Sequence, residues 1–219
     1  MKVTVSELIV KYMERLGIEC IFGMPGAHIL PVYDSLYDSS IQTILAKHEQ
    51  GAAFMAGGYA RSSGKIGACI TTAGPGATNL VTGVANAYAD KQAILFITGE
   101  TSTHIFGKGG LQESSGEGGA IDQGTLFAGI TKYNKIVERT DYLAQVLNQA
   151  SKILLSPNAG PVLLSFPFNV QKEMVDISIL DDIKTDKQPY SCLYSSQAID
   201  AIADMMLSAD NPVIVAGYG

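Results

Sequence analysis

Apolar and polar positions alternate along the chain in two periods, and the first helix shows the pattern plainly. Thr4 and Glu7 have the spacing of a capping box, and apolar residues then recur at helical intervals up to Leu16. Gly17 ends that segment, and short apolar runs followed by helical periods repeat from there on. This alternation predicts an α/β domain in which helices flank a mostly parallel sheet.

Five apolar runs have the length of buried strands, and four further segments repeat at the period of a helix. The runs predict strands over residues 18–22, 41–45, 66–71, 93–98 and 162–166. The periodic segments predict helices over residues 29–37, 48–61, 77–88 and 142–155. Residues 99–122 interrupt the alternation with seven glycines and no apolar periodicity. A loop of that length inside a compact domain is usually functional or mobile.

A second interruption, from Pro167 to Pro189, is acidic and predicts an interdomain connection. A helix over residues 195–208 and a strand over residues 212–216 are predicted beyond it. Gly217-Tyr218-Gly219 then has the form of a turn that leads into another helix, so we expect the chain to be part of a longer polypeptide. The predicted organisation is a first domain over residues 1–168, a linker over residues 169–190, and the beginning of a second, Rossmann-like α/β domain over residues 191–219.

Composition and charge narrow the classes of function. The chain has 15 basic and 21 acidic residues, and no window concentrates the basic ones, which argues against binding to nucleic acid or to an anionic membrane. The apolar runs are too short to span a bilayer, and the N-terminal segment does not have the pattern of a signal peptide. Three widely separated cysteines favour buried thiols in a reducing cytoplasm over disulfides or a metal site.

Three features could carry chemistry, and one of them, His28, follows the carboxyl end of a strand, where ligands bind in parallel α/β sheets. Glu49 begins a helix with a small-residue face that suits a tight helix–helix contact or a subunit interface. Taken alone, its charge is explained by the helix N-terminus. The turn from Thr71 to Asn79 exposes backbone N–H groups to an anion or a cofactor ring, but it lacks the third glycine of the dinucleotide fingerprint and the ending of a P-loop. His28 follows a Pro-Gly turn, and a lone histidine there is more often structural.

The order of the motifs resembles the N-terminal domain of thiamine-diphosphate enzymes, and most closely that of the acetolactate synthase family. The likeness covers roughly residues 3–170, and residues 195–219 are similar to the start of the central domain of that family. The motifs that carry it are Ile21-Phe22-Gly23-Met24-Pro25-Gly26, Lys47-His48-Glu49-Gln50-Gly51-Ala52-Ala53, Gly57-Gly58-Tyr59-Ala60-Arg61, Thr72-Ala73-Gly74-Pro75-Gly76-Ala77-Thr78-Asn79-Leu80 and Leu111-Gln112-Glu113.

The resemblance implies a pyrimidine-binding domain with thiamine diphosphate as its cofactor. In that family the glutamate that matches Glu49 hydrogen-bonds a ring nitrogen of the aminopyrimidine, and the glutamine that matches Gln112 lies near the reacting carbon. The family binds the diphosphate and Mg²⁺ through a C-terminal motif that is absent here, so we expect no metal ligands in this chain. An FAD in the central region stays open. The resemblance also places a set of residues around the aminopyrimidine: Pro25, Gly26, Thr72, Pro75 and Asn79.

Departures from the acetolactate synthase pattern leave the substrate open. Leu111 stands where those enzymes usually have phenylalanine, and residues 114–119 are an extra glycine-rich stretch. Lys132 matches a lysine near the active-site entrance of that family, although an isolated lysine also suits a solvated surface. The segments around His28 and Asp122 look more like benzaldehyde lyase and 2-hydroxyacyl-CoA lyase, in which the matching histidine and glutamine relay protons.

The expected reaction is decarboxylation of a 2-keto acid such as pyruvate and transfer of the remaining unit to a second carbonyl compound. We expect a cytoplasmic homodimer or homotetramer, with Glu49, Gln112 and His28 as catalytic residues. We expect Leu111, Gln112 and Lys132 near the substrate. A lyase or 2-keto acid decarboxylase that releases an aldehyde is the first alternative. A catalytically silent homologue is the second, and the presence of Glu49 and Gln112 argues against it. By itself the 219-residue chain is not expected to bind the cofactor tightly.

Overall fold

A computed structural model describes residues 1–185 and 195–215 of the chain. The chain divides into two compact units, Met1–Gln188 and Pro189–Gly219. The strands of the described residues are β1 (Lys2–Thr4), β2 (Cys20–Gly23), β3 (Gln42–Leu45), β4 (Gly67–Thr71), β5 (Ile94–Glu100), β6 (Tyr133–Ile136), β7 (Val162–Pro167) and β8 (Met174–Asp176). The helices are α1 (Val5–Arg15), α2 (Leu30–Tyr37), α3 (Glu49–Ser63), α4 (Pro75–Thr78), α5 (Val81–Ala89), α6 (Gln123–Ala128), α7 (Leu143–Leu154), α8 (Phe168–Gln171) and α9 (Ser196–Ser208).

Six strands of the first unit form one parallel sheet in the order β3-β2-β4-β5-β7-β6. Every residue of β4, β5 and β7 is buried, as expected for a parallel sheet that is covered on both faces. The predicted α/β class is therefore confirmed. The chain runs from β2 outward to β3 and then returns past β2 to β4, so the strand order reverses between β2 and β4. Ligands of open α/β sheets bind at such a reversal, beyond the carboxyl ends of the strands.

The two faces of the sheet bury different kinds of side chain. Helices α1, α2 and α7 cover one face with large aliphatic residues, whereas α3 and α5 cover the other with several alanines. A Cβ added to Gly83 of α5 would lie 2.3 Å from the Cβ of Ala53, and one added to Gly67 of β4 would lie 2.4 Å from the carbonyl oxygen of Ala56. The small-residue face of α3 therefore packs inside the chain. Of the two explanations that the sequence offered for this face, the structure shows the tight helix–helix contact.

The first helix follows the sequence closely, and the segment after β7 does not. Thr4 and Glu7 form the predicted capping box at the start of α1. The segment expected to connect two domains contributes β8, which pairs antiparallel with β1, and it buries Val175, Leu180 and Ile183 in the first unit. These apolar residues are irregularly spaced among acidic ones, so no period marks them.

Other differences concern short elements. The helix predicted over residues 77–88 is divided into α4 and α5 by Asn79 and Leu80, and the edge strand β6 has no apolar run to predict it. The helix predicted over residues 195–208 is present as α9. Residues 212–215 form no strand, since the described part of the second unit offers no partner strand.

Two of the three cysteines, and none of the last four residues, lie within the described part of the chain. Cys20 and Cys69 are buried free thiols, as expected. Cys192, Ala216 and the Gly217-Tyr218-Gly219 turn lie outside the described residues. Among the helices that the structure describes, none has the length and the apolar content that crossing a membrane requires.

Candidate functional site

Three loops meet beyond the carboxyl ends of the neighbouring strands β2, β4 and β5. A Cβ added to Gly26, after β2, would lie 2.5 Å from the Cβ of Thr72, after β4. A Cβ added to Gly74 would lie 2.8 Å from the Cβ of Gln112, in the loop after β5. At distances this short a Cβ at either glycine would force neighbouring atoms to shift, so the close approach of the three loops depends on both.

Glu49 is the first residue of α3, and its carboxylate has one anchored and one available oxygen. The helix is capped by His48, whose Nδ1 accepts the backbone N–H of Gln50 at 3.2 Å. The Glu49 residue is 9 % exposed, and its Oε2 accepts a hydrogen bond from Asn79 Nδ2 at 2.9 Å. Its Oε1 has no hydrogen-bond partner among residues 1–185, and it lies 3.6 Å from where a Cβ on Gly76 would be. That oxygen can therefore bind a ligand.

The turn between β4 and α4 directs Asn79 toward Glu49. Thr71 Oγ1 donates to the carbonyl of Gly76 at 3.1 Å, and Gly74 adopts φ +56° and ψ −115°, a conformation that favours glycine. The exposed Pro75 begins the short helix α4, and the carbonyl of Pro75 accepts the backbone N–H of Asn79 at 2.9 Å. The break between α4 and α5, which the sequence analysis did not predict, is thus what presents the Asn79 amide.

His28 and Gln112 are brought together, although 84 positions separate them in sequence. His28 lies in a 3-10 turn after β2, and its Nδ1 is 3.2 Å from Gln112 Oε1. Its backbone N–H donates to Thr72 Oγ1 at 3.4 Å, and its carbonyl accepts from Gln171 Nε2 at 2.6 Å. Gln112 itself has φ +57°, in the left-handed region that non-glycine residues seldom adopt.

A buried polar cluster, which no motif in the sequence predicts, underlies Gln112. Glu100, at the end of β5, accepts the backbone N–H groups of Thr101 at 2.7 Å and Ser114 at 3.1 Å, and its other oxygen contacts the Ser114 hydroxyl. Ser114 Oγ also lies 3.1 Å from Gln123 Oε1. Burial raises the pKa of Glu100, while these hydrogen bonds and the nearby His28 act in the opposite direction. The sign of this cluster in the sequence is a single acidic residue, Glu100, at the end of an apolar strand.

Glu113, the neighbour of Gln112, accepts hydrogen bonds from other residues of the same loop. Its carboxylate accepts the backbone N–H of Gly107 at 2.5 Å and that of Gly110 at 2.9 Å. The Ser115 hydroxyl donates to it at 2.7 Å. These donors hold the pKa of the Glu113 carboxyl below its usual value, because they favour the charged form.

Two of the predicted substrate residues, Lys132 and Leu111, are exposed in this chain. Lys132 is exposed at the amino end of β6, and its backbone N–H bonds to the carbonyl of Pro161 at the amino end of β7, so it lies at the opposite edge of the sheet. Leu111 precedes Gln112 but is 75 % exposed. Across the described ranges, no group of three or more histidine, cysteine, aspartate or glutamate side chains could hold a metal ion.

Comparison with known proteins agrees with this geometry. Residues 3–119 match the family model described as the thiamine pyrophosphate enzyme N-terminal TPP-binding domain, thiamine pyrophosphate being another name for thiamine diphosphate. The chain is 39 % identical over 217 residues to a probable acetolactate synthase large subunit of Methanocaldococcus jannaschii, covering 98 % of this chain and 36 % of that protein. It is 37 % identical to the acetolactate synthase isozyme 1 large subunit of Escherichia coli, covering 99 % and 37 %.

The chain thus spans little more than a third of the length of these curated relatives. A similar fold occurs in the thiamine diphosphate-dependent 4-hydroxybenzoylformate decarboxylase of Rhodococcus jostii RHA1, with a TM-score of 0.79 and 23 % identity. That likeness covers 96 % of this chain and 38 % of the other. From the matched family model, the chain belongs to the family of thiamine pyrophosphate enzyme N-terminal TPP-binding domains.

Proposed function

We propose that this chain supplies the aminopyrimidine-binding half of a thiamine diphosphate site in an acetolactate synthase-like carboligase. The observation that carries the proposal is the Glu49 carboxylate, which is nearly buried at a helix start, with Oε2 held by Asn79 and Oε1 available. Identities of 37–39 % to proteins named as acetolactate synthase large subunits support this reaction class.

The residues present fit the aminopyrimidine ring of the cofactor. A ring nitrogen can share a proton with Glu49 Oε1, and Gly76 has no side chain to occupy the space beside that oxygen. Thr72 adjoins the same space, because a Cβ on Gly76 would lie 2.7 Å from its Cγ2, and Gly26 packs against Thr72. We propose that Pro25, the neighbour of Gly26, contributes to the same wall. When bound, the cofactor supplies a thiazolium ring that stabilises a carbanion derived from the substrate. Mg²⁺ and the diphosphate would be held by residues other than those described, which contain no candidate metal cluster.

In this proposal the side chains hold and move protons at defined atoms. Asn79 fixes Oε2 of Glu49, so proton exchange with the ring occurs at Oε1. Gln112 Oε1 can only accept a hydrogen bond, so His28 Nδ1 donates in this contact, and Nε2 is the ring nitrogen left for a ligand. His28 and Gln112 thereby form one polar unit on the side of the site where β5 ends.

We propose a 2-keto acid such as pyruvate as the donor substrate and a homodimer or homotetramer as the assembly. Phe54 and Met55 of α3 and Tyr88 of α5 are exposed large side chains on the layer that carries Glu49. Exposed apolar side chains on one layer suit burial against a second copy of the protein.

The experiment that tests the proposal follows carbon-13-labelled pyruvate by NMR in the full-length protein with thiamine diphosphate and Mg²⁺. Labelled acetolactate is the expected product, and it should not form when the cofactor is omitted. Unchanged pyruvate, or labelled acetaldehyde alone, would contradict carboligation.

A lyase or 2-keto acid decarboxylase is the second candidate function, and the contact between His28 and Gln112 favours it. The segments around His28 and Asp122 resemble those of lyases in which the matching histidine and glutamine can relay protons to a bound intermediate, and in this structure the glutamine in contact with His28 is Gln112. The same NMR experiment with a 2-hydroxy ketone as substrate distinguishes the two, because a lyase cleaves it to free aldehyde and a synthase does not.

A further inference from the structure

Glu100 is a fully buried carboxyl with no role in the site as proposed so far. It is 0 % exposed at the carboxyl end of the central strand β5. Within the described ranges no lysine or arginine forms an ion pair with it. Burying a carboxyl without a cation is costly unless hydrogen bonds replace the lost water. The contacts of Glu100 therefore indicate what its burial achieves.

Most of those contacts are made to one residue, Ser114. Glu100 Oε1 accepts the Ser114 backbone N–H at 3.1 Å, and Oε2 contacts the Ser114 hydroxyl. Gln123 extends the cluster, because its Oε1 lies 3.1 Å from Ser114 Oγ and its Nε2 donates to Thr98 Oγ1 at 3.2 Å. Both the backbone N–H and the hydroxyl of Ser114 are therefore hydrogen-bonded to Glu100 of β5.

Ser114 lies two residues after Gln112, whose backbone needs external support. A non-glycine residue with φ +57° costs on the order of 1 kcal/mol relative to ordinary conformations. On its other side Gln112 abuts Gly74, where an added Cβ would be only 2.8 Å away. Contact with Gly74 prevents Gln112 from moving closer to the turn after β4. The hydrogen bonds of Ser114 to Glu100 prevent it from moving away from that turn.

We propose that Glu100 is a positioning residue which, by hydrogen bonding to Ser114, holds Gln112 in the left-handed conformation that brings its amide to His28. Hydrogen bonding, rather than charge, performs the positioning, since every contact of Glu100 is made with an N–H or O–H group. Only the kinetic part of the test rests on the proposed function.

The first part of the test measures amide hydrogen exchange in the full-length protein and needs no activity. In Glu100→Ala the segment from Gln112 to Ser114 should exchange at least about tenfold faster, because the Ser114 N–H loses its acceptor. Glu100→Gln should remain near wild type, since the amide oxygen accepts both N–H groups and the amide nitrogen faces Ser114 Oγ. Unchanged exchange in Glu100→Ala, or equal acceleration in both variants, would overturn the proposal.

The second part is a double-mutant cycle on turnover. Glu100→Ala should lower kcat by about 10- to 100-fold, as misplacement of a catalytic group by roughly 1 Å does. Glu100→Ala combined with Gln112→Ala should be no slower than Gln112→Ala alone, because Glu100 acts through Gln112. Losses that multiply would instead indicate a general structural effect and overturn the proposal. Glu19→Gln, an exposed carboxylate paired with Lys65, is the matched control and should change neither measurement.

Two further safeguards keep the test decisive. If Glu100→Ala does not fold, Ser114→Ala removes the side-chain contact alone and should show the same pattern at smaller amplitude. If the full-length protein forms no acetolactate, the proposed function fails, and hydrogen exchange still decides whether Glu100 positions Gln112.

Discussion

The candidate site has two halves that are held in place by different forces. The turn half comprises Glu49, the Pro25-Gly26 turn and residues 72–79, and close backbone contacts at glycines hold it. The loop half comprises residues 99–123, and buried hydrogen bonds of Glu100 and Ser114 hold it. Adding an atom at a glycine should destabilise the turn half, whereas removing a hydrogen-bonding atom should destabilise the loop half.

The largest effect is expected for Glu49→Gln, which tests the chemistry of the turn half without disturbing its packing. A glutamine oxygen can still accept from Asn79, so the melting temperature should stay near that of the wild type. Loss of a shared proton should lower turnover by about 10²- to 10⁴-fold. Steady-state assay of acetolactate formation by the full-length protein measures it, with the exposed Glu19→Gln as control. Near-normal turnover would remove Glu49 from the mechanism.

The next effect tests the contact that joins the two halves. Gly74→Ala places a methyl group 2.8 Å from the Cβ of Gln112 at a backbone with φ +56°, so we expect a loss of about 2–4 kcal/mol of unfolding free energy. Gly17→Ala is the matched control, because it also has positive φ (+73°) but no atom within 4 Å of the added Cβ. It should cost only about 1 kcal/mol. Urea denaturation measures both, and equal losses would mean that the contact with Gln112 does not matter.

The same division explains which parts of the site were predictable from the sequence. The turn half depends on residues that are close in sequence, such as Gly74 and Asn79, or that begin a helix, such as Glu49, and short motifs report such local geometry. The loop half depends on Glu100 meeting Ser114 across 14 positions and on Ser114 meeting Gln123 across nine, and a glycine-rich stretch without a period gives no sign of those pairings.

The fold shows the same limit as the site. The parallel sheet was predictable because buried strands are continuous apolar runs. The strand β8 and the edge strand β6 were not, because each is short and carries few apolar residues. The position of Lys132 relative to Glu49 could not be predicted either. Its motif does not show that the amino end of β6 lies at the opposite edge of the sheet from Glu49.

The smallest expected effect separates the two carboxyls of the loop half by the sign of their pH dependence. The pKa of Glu100 is raised above its ordinary value of 4.5, because burial disfavours the charged form. Its contribution to stability is therefore complete below pH 4.5 and is lost as the pH rises through the raised pKa. The pKa of Glu113 is lowered by its hydrogen-bond donors, so its contribution is present above pH 4.5 and is lost as the pH falls through the lowered pKa.

Glu100→Gln and Glu113→Gln should accordingly change the pH profile of the urea midpoint in opposite windows. Relative to the wild type, Glu100→Gln should remove a decline in stability that begins above about pH 4.5, and Glu113→Gln should remove a decline below it. For Glu100 each pH unit of the window is worth at most about 1.4 kcal/mol, the free energy of one pKa unit. If both variants changed the profile on the same side of pH 4.5, burial and hydrogen bonding would not be acting on the two carboxyls in opposite directions. The same kind of interaction would then dominate the pKa of both carboxyls in the loop half.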